Sequence, residues 1–238
     1  MKVLTINAPR SSGHWWCLLV WVALMTLSGC GAPAEPTLNL YRAIHAGDLD
    51  QIKRHLHWGT DLNQAGPDGD YPLHVAARRG HVVVVEELLL HGAARDVRDA
   101  QGMTPLEVAL LAGKTQVARI LLQGGTQRHP QALLQVLVNQ GVADRDALEL
   151  VVAQGADVNA SDAQGSRPLH QAIRAGQVRL VKRLIALGAD VNLTDAQGLT
   201  PLALANADNQ RDIAALLTAF GASLRPSSPN PDQNARQP

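Results

Sequence analysis

The sequence predicts an all-α fold, a solenoid of about six stacked helix-turn-helix units. Three observations predict it. Glycines recur at Gly59, Gly92, Gly125, Gly155, Gly188 and Gly221, at intervals of 33, 33, 30, 33 and 33 residues. A second set, Gly47, Gly80, Gly113 and Gly176, is spaced by 33, 33 and 63, and Pro72, Pro105, Pro168 and Pro201 by 33, 63 and 33. The 238 residues are 46% hydrophobic but only 3% aromatic, so Leu, Val and Ala must do the packing. A fixed period of this length marks a repeat array whose units bury their apolar faces only against one another.

The chain opens with Lys2 and Arg10 ahead of an uncharged apolar run, Trp15 to Leu27, followed by LSGC, Leu27 to Cys30. Thirteen apolar residues fall short of the roughly 20 that a bilayer span needs, so residues 1–29 read as a secretory signal segment. LSGC resembles the lipobox of bacterial lipoproteins at all four positions. That resemblance implies cleavage between Gly29 and Cys30 and a diacylglycerol thioether on Cys30, hence a lipid anchor in a membrane of a bacterial cell envelope. Gly31, where the usual sorting rule would need Asp for inner-membrane retention, implies the outer membrane facing the periplasm. Residues 30–37, the lipidated cysteine with GAPAEP, read as a short tether reaching about 20 Å at about 3.1 Å per residue. Loss of residues 1–29 leaves 19 basic and 21 acidic side chains, a net charge of −2. No basic surplus remains to favour nucleic acid or to reinforce binding to anionic lipid. Cys17 leaves with the signal, which excludes a disulfide scaffold.

From residue 38 to 224 each punctuation mark has a local cause. Thr104 and Thr200 are placed to cap a first helix, and Pro105 and Pro201 follow in its first turn, where a missing N–H costs nothing. Gly80, Gly113 and Gly176 end that helix in the left-handed conformation, with Asn209 as the next-best residue in the last unit. A second helix follows, with one buried stripe such as Val84, Val85, Leu88 and Leu89, or Val181, Leu184 and Ile185. The units, for example DGDYPLHVAARRGHVVVVEELLLHGA (Asp68 to Ala93) and AQGSRPLHQAIRAGQVRLVKRLIALGADVN (Ala163 to Asn192), resemble the ankyrin repeat in period and in its TPLHxA signature. The resemblance covers about Leu38 to Leu224. It implies an all-α ankyrin-repeat α-solenoid with short β-hairpin-like fingers to one side and a concave groove, and it implies that the PLH histidines, His74 and His170, bond to neighbouring loop backbone.

The fourth unit departs from the pattern. Leu133 to Asn159 reads without proline or histidine, and Gly125 to Leu133 spans 8 residues where Gly92 to Pro105 spans 13. A missing finger is expected there, from drift of the repeat or as a notch shaped for a partner. Residues 225–238, with four prolines in polar company, read as a disordered tail.

No catalytic residue, metal ligand or cofactor site emerges from the sequence. His55 and His57 diverge at i, i+2 on a helix. Gly113, Lys114 and Thr115 imitate a phosphate loop but have Val108 where its first glycine belongs. Asp61, Asp157 and Asp190 read as solvated finger residues. The resulting expectation is a non-enzymatic, monomeric scaffold that binds an unidentified protein. The alternative is an immunity or inhibitor protein that blocks a periplasmic toxin such as a phospholipase. Ankyrin habits place the contacts on fingers (Arg98, Gln101, Met103, Gln164, Ser166, Gln197, Leu199) and on first helices (Arg42, Arg78, Val108, Leu111, Gln171, Arg174). Arg42, Arg78 and Arg174, read as equivalent sites, would form a basic strip for an acidic partner.

Overall fold

The helices begin and end at the marks just described. In a computed structural model that describes residues 32–123, 125 and 129–224, twelve α-helices follow one another as six pairs. They are α1 Leu40–Ala46 with α2 Leu49–His57, α3 Pro72–Arg79 with α4 Val82–Leu90, and α5 Pro105–Leu111 with α6 Thr115–Gln123. Then come α7 Pro130–Asn139 with α8 Arg145–Ala153, α9 Pro168–Arg174 with α10 Val178–Ala186, and α11 Pro201–Ala207 with α12 Arg211–Ala219. The signal segment, Cys30 and the tail from 225 lie outside the described residues.

Capping is local chemistry. Thr104 Oγ1 accepts the Glu107 N–H at 3.3 Å while Glu107 Oε2 accepts the Thr104 N–H at 2.7 Å, a reciprocal box at the start of α5. Thr200 Oγ1 accepts from Ala203 N at the start of α11. First helices end at residues with positive φ, among them Gly113 at 66° and Asn209 at 55°, the one non-glycine in that region among the described residues.

Each first helix packs on the next first helix and on its own partner, and the second helices form an outer layer. The core is a continuous aliphatic column: Ile44, Leu73, Leu106, Leu134, Ile173 and Ala205 from the first helices meet Ile52, Leu88, Leu121, Leu148, Leu184 and Leu217 from the second, all buried. An asparagine at the end of three of the GADVN-like turns, Asn63, Asn159 and Asn192, ties one unit to the next. Asn159 Nδ2 donates to Gly188 O at 3.1 Å and its Oδ1 accepts from Asp190 N at 2.8 Å. Asn63 and Asn192 repeat this with Gly92 and Ala94, and with Gly221 and Ser223. The carboxylates expected as solvated finger groups brace these turns, because Asp61, Asp157 and Asp190 each accept the N–H two residues on at 2.8 Å.

One sequence expectation needs correction. The fourth unit does contain a proline and a histidine: α7 starts at Pro130, three residues before Leu133, with His129 at its N-cap. The connection 124–129 has six residues where 91–104 has fourteen, α7 has ten where α5 has seven, and the turn 140–144 has five where 112–114 has three. A shorter finger, partly offset by a longer helix and turn, leaves the unit three residues short, as the 30-residue glycine interval records. Gln131 in α7 supplies the missing tie, its amide donating to Asp157 O and accepting from Asp157 N. At the N-terminal end, Pro33, Thr37 and Leu38 lie along α2, hydrogen-bonded to Trp58, Gln51 and His55.

Asn159→Ala removes both bonds to the following unit and should cost about 1–2 kcal/mol. Gly188→Ala acts differently: φ is 95° and nothing lies within 4 Å of an added Cβ, so the expected cost of about 1–2 kcal/mol is backbone strain alone. Urea unfolding of each variant against the parent measures both.

Candidate partner-binding face

The fingers owe their shape to one aspartate each. Asp99 N donates to Met103 O at 2.9 Å, and Asp99 Oδ1 accepts from Gln101 N at 3.0 Å and Met103 N at 2.8 Å. Asp162 and Asp195 build the next two fingers in the same way, around Gln164 with Ser166 and around Gln197 with Leu199. These are tight turns; no β-strand occurs among the described residues. The first finger has Gly66 at the aspartate position. Tyr41 fills the place, its hydroxyl donating to Gln64 O at 2.7 Å, and a Cβ on residue 66 would lie 2.8 Å from Tyr41 Cζ. Burial, and then the charge of Asp70, push the Tyr41 phenol up to about 12.

Arginines of the first helices clamp these fingers. Arg78 in α3 makes a two-pronged bond to Asp70 of the preceding finger and lies 3.9 Å from Asp99 of the following one. Its pKa is raised, chiefly by the Asp70 hydrogen bond. Arg174 in α9 repeats the arrangement, donating to Ser166 Oγ at 3.1 Å, Asp195 Oδ2 at 2.5 Å and Gln197 Oε1 at 3.1 Å. Gln171 Nε2 holds Asp162 at 2.7 Å while its Oε1 accepts from Gln135. Below them the two PLH histidines are buried, and each donates from Nε2 to the next finger, His74 to Met103 O at 2.8 Å and His170 to Leu199 O at 3.1 Å. Desolvation lowers the pKa of both. With Nε2 as donor, the buried Nδ1 of each has no protein partner, so a second proton there would be unsatisfied.

These contacts redraw the predicted site. The basic strip does not stand as three free cations, because Arg78 and Arg174 are neutralised by finger aspartates. Arg42 is also out of register with them: the position equivalent to Arg78 is His45, and Arg42 projects from the first turn of α1. Val108 is 6% exposed and forms floor, not contact surface. Gln101, Gln164, Gln197 and Arg98 are exposed on the fingers, and Met103, Ser166, Leu111 and Gln171 are half-buried behind them. Leu199 is exposed at the last finger. A groove of about 690 Å³ joins the first two fingers to α3 and α5, lined by Asp68, Asp70, Arg78, Asp99, Gln101, Met103, Val108 and Leu111. Its carboxylates outnumber its one arginine, so the groove is acidic with an apolar floor.

A larger hollow, about 1010 Å³, opens on the outer layer between the turn 140–144 and α10. It is lined by Arg179, Lys182 and Arg183, a cationic cluster away from the fingers. Among the described residues no three His, Cys, Asp or Glu side chains are placed to hold a metal ion, and no helix is long and apolar enough to cross a membrane.

The family profile for ankyrin repeats matches this chain twice, over residues 40–131 and 150–205. The chain is an ankyrin-repeat protein. The residues between the two matches, 132–149, hold most of α7, the turn 140–144 and the start of α8. The fold agrees with the ankyrin repeat domain of Bcl-3, at a TM-score of 0.63 and 24% identity over 80% of this chain and 89% of that one. It also agrees with the ankyrin repeat domain of human ASB11, at 0.61 and 28% over 81% and 87%. A chain in the complex of the Bd0816 predatory endopeptidase of Bdellovibrio bacteriovorus with immunity protein Bd3460 matches at 0.59 and 24%, over 78% and 99%, and shows the same fold. Among curated relatives, an L-asparaginase of Dirofilaria immitis is 33% identical over 63% of this chain but only 26% of its own length. The E3 ubiquitin-protein ligase KEG of Arabidopsis thaliana is 32% identical over 57% of this chain and 9% of its own. The ankyrin array thus spans a minor part of these relatives.

Sequence reasoning missed the asparagine ties, the Gln131 substitute and the arginine clamps. The 33-residue interval between Asn159 and Asn192, and the 96 residues separating both Asn63 from Asn159 and Arg78 from Arg174, were available as signals.

The buried histidines generate a pH prediction. Their folded pKa values lie below the unfolded 6.5, so the unfolded chain takes up protons first as pH falls. Stability should be level above pH 6.5 and decline below it, by up to about 1.4 kcal/mol per pH unit per histidine until the folded group titrates. Thermal melts from pH 8 to 5 check this, and the His74→Gln/His170→Gln variant, though less stable at pH 7, should show a flatter decline.

Proposed function

We propose that this ankyrin array is a lipid-anchored scaffold of a bacterial cell envelope, facing the periplasm from the outer membrane, that holds a protein partner against its fingers and first helices. Ankyrin repeats generally serve protein binding, and the observation that carries the reading here is the clamped groove. Arg78 fixes two successive fingers to α3, so the surface between them is rigid before any partner arrives, which lowers the ordering cost of association. The groove offers shape, two half-buried apolar side chains and a negative balance, with no converging nucleophile, base and oxyanion donors. Its partner should present a basic side chain beside an apolar one. The LSGC segment supports the anchor on Cys30, and Gly31 supports the outer membrane.

A photo-crosslinking residue at Gln101, used in cells, should trap one partner, and Cys30→Ala should release the trapped pair from the membrane. Reversing exposed charge with Asp68→Lys/Gln101→Lys should weaken binding of that partner by about tenfold, about 1.4 kcal/mol, without shifting the melting temperature. Unchanged affinity would count against the groove. A trapped partner that is an enzyme silenced in the complex would assign the array to inhibition.

A further inference from the structure

An N-terminal strap is docked along α2. Trp58 at the end of α2 donates its indole N–H to Pro33 O at 3.2 Å. His55 Nε2 donates to Leu38 O at 2.6 Å, and its Nδ1 accepts from Thr60 Oγ1 at 3.0 Å. Gln51 completes the attachment, its Oε1 accepting from Thr37 N at 2.9 Å and its Nε2 donating to Thr37 Oγ1 at 3.0 Å. The strap therefore runs antiparallel to α2, and its first attached residue, Pro33, lies beside the Trp58 indole.

Three residues, Cys30 to Ala32, separate a lipid on Cys30 from that attachment point. Fully extended they span about 10 Å, less than the diameter of one helix with its side chains. Trp58 is 50% exposed and Leu38 38% exposed at this end. An indole with an apolar body and a polar edge favours the headgroup layer. We propose that the N-terminal end of the solenoid is seated on the bilayer, with Trp58 in the interfacial region and the array rising end-on, so that the fingers of later units stand clear of lipid. The proposal rests on the anchor at Cys30.

The processed chain makes the test direct. Trp15, Trp16 and Trp21 precede the cleavage point, which leaves Trp58 as its only tryptophan. The full chain, purified from membranes and reconstituted in phosphatidylethanolamine/phosphatidylglycerol vesicles with or without brominated phosphatidylcholine, reports the position of Trp58 by fluorescence, while intact mass reports the lipid. Brominated lipid should quench Trp58 roughly twofold or more. In a Trp58→Phe/Phe220→Trp variant the reporter moves to the opposite end, where Phe220 is 52% exposed, and should escape quenching. A lipid-bearing chain with unquenched Trp58 would overturn the seat alone. Equal quenching at both positions would show an array lying flat and also overturn it. An unmodified Cys30 would overturn the anchor and the seat together.

Discussion

No helix described in this chain exceeds ten residues, and helices of that length are marginal in water. Every one depends on burial against the next unit. Leu88, Leu121, Leu137 and Leu148 lose essentially all contact with solvent only because neighbouring pairs close over them. Stability in such an array is a sum of weak units and strong interfaces, so the contacts between units, not those within them, determine whether the chain folds.

Those interfaces combine an apolar column with fixed polar ties. Non-directional burial would tolerate sliding of one pair against the next. The asparagine amides and the His74 and His170 bonds do not, because each reaches a particular carbonyl one unit away. Burying the two imidazoles, which desolvation disfavours in their charged form, is the cost of that register. The arginine clamps extend the same logic to the fingers. Arg78 and Arg174, which read as free cations in the sequence, are balanced by finger aspartates, with further carboxylate beside Arg78.

The fourth unit shows how an interface is tied when the connection ahead of it is shorter. Asp96 stands where Asn63, Asn159 and Asn192 make their ties, and an ionised carboxylate cannot donate to a carbonyl. The next tie comes from Gln131, the second residue of α7, whose longer side chain spans to Asp157.

Helix starts, helix ends and the period were legible in the sequence because capping threonines, prolines at the first turn and left-handed glycines act within four residues of themselves. Pro130 escaped notice because the glycine and proline marks fall out of phase there. The PLH histidines were legible only through resemblance. The fate of Arg78, the reach of Gln131 and the docking of Pro33 on Trp58 were decided by tertiary structure. Each depends on which groups a finger or strap brings within hydrogen-bond distance when it folds back, and electrostatic pairing at such separations carries no periodic signature along the chain.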